Sequence, residues 1–359
     1  MKTFTLCTLT SLAICLPLGA LGASGDLERE FAIGPGGSLV LEADAGYVEV
    51  TTWNEPRVRV VVQNPDNMEL EFEESGNRLL VTAEIEGRWS GRRAGFRFQV
   101  PAQFNLDLET SGGSIEISDL EGDIDAETSG GSITIGNISN GSVNADTAGG
   151  SITIGDVSGD VNADTAGGSI TVGQVGGDAE LDTAGGSIRA GYVNGTLEAD
   201  TAGGSIRVEG GQLGVIASTA GGSITVQRSG GPVQAETAGG SISLGKVSGA
   251  IRASTSGGSI SAELTSLDAG VSGQVDLETA GGDLELTLPA THQASIDASI
   301  EVSRRARGDY RIYTDFPLTI QGEDDREVTA EGDINGGGDR IRLRTVNGDI
   351  RITRGNPNL

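Results

Sequence analysis

The side chains best placed to do chemistry recur at a fixed spacing. An acidic residue precedes each of a series of threonines: Glu109, Glu127, Asp146, Asp164, Asp182, Asp200, Glu236 and Glu278, with Ser218 and Ser254 interrupting the series. Carboxylates stacked at the ~4.8 Å separation of neighbouring strands repel one another, and a divalent cation relieves that repulsion by bridging them. Asp146, Asp164, Asp182 and Asp200 are therefore the candidate ligands of a divalent-cation ladder. The Gly-Gly-x-Gly-x-Asp pattern of calcium-binding nonapeptides is not the pattern of these segments. A solvated acidic face that keeps a strand-rich chain in solution is the simpler reading, and no cofactor is required.

A second array consists of hydroxyls in Ser-x-Thr pairs: Ser132/Thr134, Ser151/Thr153, Ser169/Thr171 and Ser223/Thr225. Regular hydroxyls on a flat face suit glycans or an ice surface, and Ser151, Thr153, Ser169 and Thr171 are the candidate binding residues. Arg189 and Arg207 interrupt the array, which argues against ice matching. Carbohydrate platforms favour exposed aromatics, and between residues 106 and 288 the only aromatic is Tyr192. Nucleophilic catalysis finds little support. His292 is the only histidine, no serine or cysteine nucleophile motif frames it, and a surface histidine in the loop after Pro289 accounts for it. A histidine-based zinc site is excluded by the same count.

These arrays sit on an internal repeat. Thr-Ala/Ser-Gly-Gly-Ser-Ile begins at Thr110, Thr128, Thr147, Thr165, Thr183, Thr201, Thr219, Thr237 and Thr255, spaced by 18 residues except for one gap of 19. A further copy begins at Thr279 after a gap of 24. Self-similarity at a fixed period marks a repeat architecture and outranks local propensity. Each period reads as two strand-plus-turn halves. Val161, Ala163 and Thr165 point inward from the first half, Ile170 and Val172 from the second, with Asn162, Asp164, Ser169 and Thr171 outward. A single coil cannot bury its apolar side chains, whereas stacked coils bury them continuously. The fold class predicted is all-β: a parallel β-solenoid (β-helix) of ~18-residue two-strand coils, with isoleucine and threonine ladders inside and insertions at corners. The repeats alone span roughly 45 Å at the strand spacing. The glycine pairs are expected to supply positive-φ corner positions.

Composition agrees. The chain has 58 glycines in 359 residues, more than twice the usual share, and glycine weakens helices. A formal charge of −27 argues against nucleic acid as a partner, because phosphate binding needs a basic surface. Charge is uneven: residues 106–288 carry 25 acids and 5 bases, whereas 301–359 carry 11 and 10, with Arg304, Arg305, Arg307 and Arg311 close together. That arginine-bearing end is suited to local charge pairing, head-to-tail contact or anionic envelope polymers.

Residues 1–23 have the layout of a secretory signal peptide: Lys2, an apolar run from Phe4 to Leu21, then small residues before Asp26. Both cysteines, Cys7 and Cys15, fall within it, so the exported chain would have no disulfide and no later transmembrane segment. The remainder divides into an N-terminal β capping region (24–105), the repeat solenoid (106–288) and a C-terminal capping region (289–359), whose segment from Gly338 to Ile350 reads as one more coil. Both flanks are expected to be irregular β segments that cover the open ends of the stack.

Several stretches match a known pattern. They are Gly46-Tyr47-Val48-Glu49-Val50 with Trp53, and Val100-Pro101-Ala102 leading into Leu106-Asp107-Leu108-Glu109-Thr110-Ser111-Gly112-Gly113. Tyr313-Thr314-Asp315-Phe316-Pro317-Leu318 and Arg344-Thr345-Val346-Asn347-Gly348-Asp349-Ile350 match as well. Through them the chain resembles a bacterial envelope family named "putative adhesin", similar to the head domains of autotransporter adhesins. The resemblance implies a β-solenoid and an adhesive role, and it brings no catalytic residues. The coils here are more regular than the family's looser pattern.

The expectation is an exported, non-enzymatic adhesin-like or scaffolding protein of the cell envelope, in the periplasm, at the outer-membrane surface or outside the cell. Its partner would be an envelope or surface protein or a glycan. One alternative is an envelope-stress or regulatory protein that docks another envelope protein. The other is a carbohydrate-active β-helix enzyme, for which Lys246 and the scattered Arg189, Arg207, Arg228 and Arg252 are thin material.

Overall fold

The computed structural model describes residues 25–86, 94–265, 270–304, 308–322 and 326–355. The signal-peptide segment, Trp89, Arg305 and Arg307 lie outside these residues. Among the described residues every regular element is a β-strand, and no helix is long and apolar enough to cross a membrane.

Alternation within each strand produces the solenoid. In Val161–Thr165 and its equivalents the odd positions are buried and the even ones exposed, and each strand pairs in parallel with its counterpart one coil away. The second strand of each coil, such as Ile152–Ile154 or Ile170–Val172, builds the facing sheet, in which Ile133, Ile152, Ile170 and Ile188 stack in direct register. The isoleucine and threonine ladders read from the period are thus the core, with Thr165 and Thr201 fully buried.

The coil also has a third inward line, absent from the two-strand reading. Leu120 pairs with Ile138, followed by single bridges from Ile138 through Val157 and Val175 to Val193. Each contributes one aliphatic side chain to the interior. From Ile188–Val193 onward the second strand runs on through this side, so Val193, Gly211, Ser229, Val247 and Leu264 continue the line in full strands. The one-residue insertion is at the corner between Ile138 and Val143, where Asn140 takes a left-handed conformation (φ 51°).

The glycine pairs work differently from the expectation. None of the pairs from Gly130-Gly131 to Gly257-Gly258 has positive φ. Instead, a Cβ on the second glycine of a pair would collide with the carbonyl oxygen of the equivalent glycine one coil below, as Gly168 would with Gly150. The first glycine has more room: the nearest atom to a Cβ stands 3.4 Å away at Gly167, and between 3.1 Å (Gly203) and 3.9 Å (Gly130) across the other pairs. Close backbone approach between coils, rather than an unusual φ, selects glycine here.

The flanks contain coils, and the chain orders them out of sequence. Gly37–Ala43 pairs on one side with Arg78–Ile85 and on the other with Phe104–Thr110; Tyr47–Trp53 sits likewise between Gly95–Pro101 and Ile115–Ile117. At the other end Asp339–Val346 lies between Val275–Thr279 and Ala294–Glu301, and Ile350–Arg354 between Leu284–Leu288 and Ile312–Thr314. At each end the coil nearest the terminus is therefore tucked under an outer coil made by more internal residues.

Beyond those outer coils the strands turn antiparallel: Val58–Gln63 and Leu27–Phe31 extend one sheet, and Met68–Ser75 edges the other. The edge strand Met68–Ser75 carries Glu69, Glu71, Glu73 and Glu74, which discourages pairing with another chain. Phe31 stacks on Phe72 at 5.7 Å and Arg29 lies 4.5 Å over Phe72, drawing the two sheet edges together across the N-terminal opening. At the C-terminal end Glu327–Ile334 and Thr319–Gln321 play the antiparallel part.

Candidate binding surfaces

The threonine corner that organises every coil is wholly structural. Thr165 Oγ1 donates to the Gly150 carbonyl one coil below (2.8 Å) and accepts from the Gly168 amide (3.2 Å). The same donation recurs from Thr128 to Gly113 and through to Thr345 on Gly282. The side chain beside each buried threonine necessarily faces outward, which creates the acidic row.

Strand register places Glu109, Glu127, Asp146, Asp164, Asp182 and Asp200 in one column, followed by Ser218, Glu236, Ser254 and Glu278. Its next member, Arg344, comes from the tucked C-terminal coil and reverses the charge. Sequence spacing missed Arg344 because that coil lies 66 residues away in the chain, the separation of Glu278 from Arg344. Partial burial, reinforced by Asp164 and Asp125, holds the Asp146 carboxyl above its usual range. Burial followed by Asp200 and Asp164 does the same for Asp182, and burial followed by Glu109 and Asp146 for Glu127. A parallel column two residues earlier relieves part of this load with amides: Asn144 Nδ2 donates to Asp125 Oδ1 (2.9 Å) and Asn162 Nδ2 to Asn144 Oδ1 (3.0 Å). Among the described residues, no three acidic, histidine or cysteine side chains converge to hold a metal ion.

The Ser-x-Thr array divides into two roles. Ser151 Oγ accepts the Ser169 backbone amide and Ser169 Oγ accepts that of Ser187, each at 3.1 Å, so these serines tie one coil to the next. The threonines face outward from the sheet: Thr153 is exposed and pairs in register with Thr171, followed by Arg189, Arg207 and Thr225. The arginine interruption of the hydroxyl column is therefore real in space.

The third side carries a groove of about 780 Å³ that runs along the stack from Thr52 and Ala102 to Tyr192 and Asn194. Residues Leu120, Ile138, Val157 and Val175 of the third inward line form its floor, with their side chains turned into the core. One rim repeats a polar residue per coil. Asp119 Oδ1 accepts the Asn137 amide (2.7 Å), Asn137 Oδ1 accepts that of Asp156 (3.0 Å), and Asp156 Oδ1 accepts that of Gln174 (2.8 Å). Tyr192 follows Gln174 at this position and ends the ladder. Its hydroxyl donates to Gln212 Oε1 (2.6 Å), and the Arg228 guanidinium lies 4.4 Å over its ring. Gly210, between them in register, makes that contact feasible: a Cβ there would come within 2.9 Å of both Tyr192 Cε2 and Arg228 Cγ.

His292 differs from its sequence reading as a surface residue. Its side chain is 8% exposed, its Nε2 has no hydrogen-bond partner and stands 3.9 Å from Asp339 Oδ2, and burial lowers its pKa despite that carboxylate. The turn that carries it is closed by its own amide donating to Pro289 O (3.0 Å) and by Asn335 Nδ2 donating to the His292 carbonyl (2.6 Å).

No protein-family model and no curated protein matches the chain. Among solved structures it is similar to a "putative cell adhesion protein" from Clostridium sporogenes, with 10% identity, TM-score 0.16, and coverage of 91% of this chain and 99% of that one. It is similar to a "putative adhesin" from Bacteroides fragilis, with 16% identity, TM-score 0.30, and coverage of 73% and 96%. A "putative lipid binding protein" from Parabacteroides distasonis matches with 14% identity, TM-score 0.27, and coverage of 74% and 95%. Likenesses at these scores transfer no function to this chain.

Proposed function

We propose that this protein is an exported, non-enzymatic rod of the bacterial cell envelope, adhesin-like or scaffolding, that works by displaying long lateral surfaces. The observation that carries this reading is the division of labour within each coil. Buried threonines, close glycines and corner oxygens are consumed in holding coil to coil, and the remaining polar side chains line up in register as columns along the stack. Such columns present a polar side chain at each ~4.8 Å step, which suits an extended or multivalent partner better than a single small substrate. The apolar N-terminal segment supports export. The partner in this reading is an envelope or surface protein or glycan, with no cofactor needed.

Fractionation of native cells, followed by incubation of the purified protein with envelope preparations, tests it. Recovery in the periplasmic or surface fraction together with saturable envelope binding is expected. A cytoplasmic location, or turnover of an acidic polysaccharide, would overturn it. Capture of one defined envelope protein, with no polymer binding, would make the rod a docking element instead.

A further inference from the structure

The repeats provide an internal reference, since each coil solves the same folding problem with the same residues. A position that departs from the pattern without any folding need is where another demand acts. The clearest departure is on the third side, where the rim ladder Asp119, Asn137, Asp156, Gln174 gives way to Tyr192. That tyrosine is the only aromatic between residues 106 and 288, and it is held in place by Arg228 across a coil that bears glycine at the intervening position.

This geometry has the chemistry of a sugar site. Asp119, Asn137 and Asp156 each spend one oxygen on the backbone amide of the next coil, which leaves the second carboxylate oxygen of Asp119 and Asp156 and the amide of Asn137 at the groove. These groups take hydrogen bonds from, or give them to, neighbouring hydroxyls at each coil step. An aromatic ring at the groove's end offers a face for the C–H side of a pyranose, and its other face is covered by Arg228. The ring is oriented before any ligand arrives, by its hydroxyl bond to Gln212 and by the guanidinium, so little side-chain freedom is lost on binding. The groove spans about five coil steps, ~24 Å at the strand spacing, which matches a short run of extended hexosyl units. Carboxylates at its rim and a net charge of −27 disfavour acidic polysaccharides.

We infer that the third-side groove ending at Tyr192 binds an uncharged, extended oligosaccharide, with Tyr192 as stacking platform and Asp119, Asn137 and Asp156 as the hydroxyl-binding rim. The inference rests on the adhesive reading and gives it a ligand class. The test is calorimetric titration of the purified protein with cellohexaose, chitohexaose and mannohexaose, with polygalacturonate as the acidic control.

At least one neutral hexaose is expected to bind in the ~millimolar range or tighter. Tyr192→Ala should weaken that binding about tenfold, as loss of one aromatic stacking face implies, while Tyr192→Phe stays close to the parent. Gln234→Ala, exposed on the opposite sheet, should leave it unchanged, and the melting temperature of each variant reports that it has folded. Binding of none of the three hexaoses overturns the inference, as does binding that Tyr192→Ala leaves intact or preference for polygalacturonate. Envelope capture without hexaose binding overturns this inference alone and leaves the adhesive reading in place.

Discussion

At the Thr-Gly-Gly corner the coils from Thr128 to Thr279 use the same threonine hydroxyl and the same close glycine, whereas the corner beside Tyr192 changes residue at almost every step. Both corners must satisfy backbone amides that a turn leaves unpaired. The first does so with a buried group, so any change is felt in the core. The second does so with one oxygen of a side chain at the surface, so Asp and Asn interchange there. Uniformity on one edge and variety on the other separate what the stack needs from what the surface is free to carry.

Substitutions at the glycine pair should give the largest contrast. Gly168→Ala forces a Cβ against the Gly150 carbonyl and should cost about 3 kcal/mol or more, whereas Gly167→Ala should stay within about 0.5 kcal/mol. Urea unfolding of the two variants checks this, and equal costs would show that close approach is not the reason for the second glycine. Next comes Thr165→Val, which orphans the Gly150 carbonyl and the Gly168 amide and should cost about 1–3 kcal/mol in the same measurement. Recovery of most of that loss by Thr165→Ser would attribute it to the hydroxyl.

A smaller effect is expected from pH. Asp107, Glu127, Asp146 and Asp182 have carboxyl pKa values raised in the fold, chiefly by burial and then by like charges. A raised folded pKa means the native state binds protons more tightly than the unfolded chain, so these groups add stability as the pH falls through the folded values. The gain is complete below their ordinary values near about 4, and it is lost as the pH rises again. Melting temperature should therefore rise on mild acidification from neutrality, and the rise should shrink in about 1 M salt, where charges are screened beyond ~3 Å. A melting temperature that falls monotonically from pH 7 would remove the acidic column as a source of strain.

At the variable corner, Tyr192→Ala should change stability by no more than about 0.5 kcal/mol while abolishing the stacking face, the reverse of the Thr165 outcome. Smallest of all, millimolar calcium should leave the melting temperature unchanged if the acidic column is simply solvated. A clear rise would assign it a bound cation.

Much of the shaft was legible in the chain because its reasons are local and repeated. Alternation around Val161, Ala163 and Thr165 shows which side chains are inside, and the period shows what they stack on. The third inward line was not legible: Val157 and Val175 each sit alone between turn residues, without an alternating partner to mark them as buried. Gly-Gly read naturally as a conformational device because turns are the commonest use of glycine, and only the neighbouring coil shows that it is a packing device. The candidate hydroxyl pairs mixed two kinds of residue, since nothing in Ser-x-Thr distinguishes the serine that caps the next coil from the threonine left outside. Tyr192 stood out as a lone aromatic, but its partner Arg228 is two coils away.

The sequence by itself determined the solenoid, its two main sheets, the buried threonine ladder and the acidic column, because an 18-residue period forces each coil to repeat its neighbour's burial. Only the tertiary structure decided where the terminal coils go. Gly37–Ala43 and Asp339–Val346 each lie between strands distant in the chain, a pairing chosen by the shape of the open stack end and by the antiparallel strands that cover it. It also decided which surface side chains meet, because a contact such as Tyr192 with Arg228 depends on stacking order and on the empty place at Gly210.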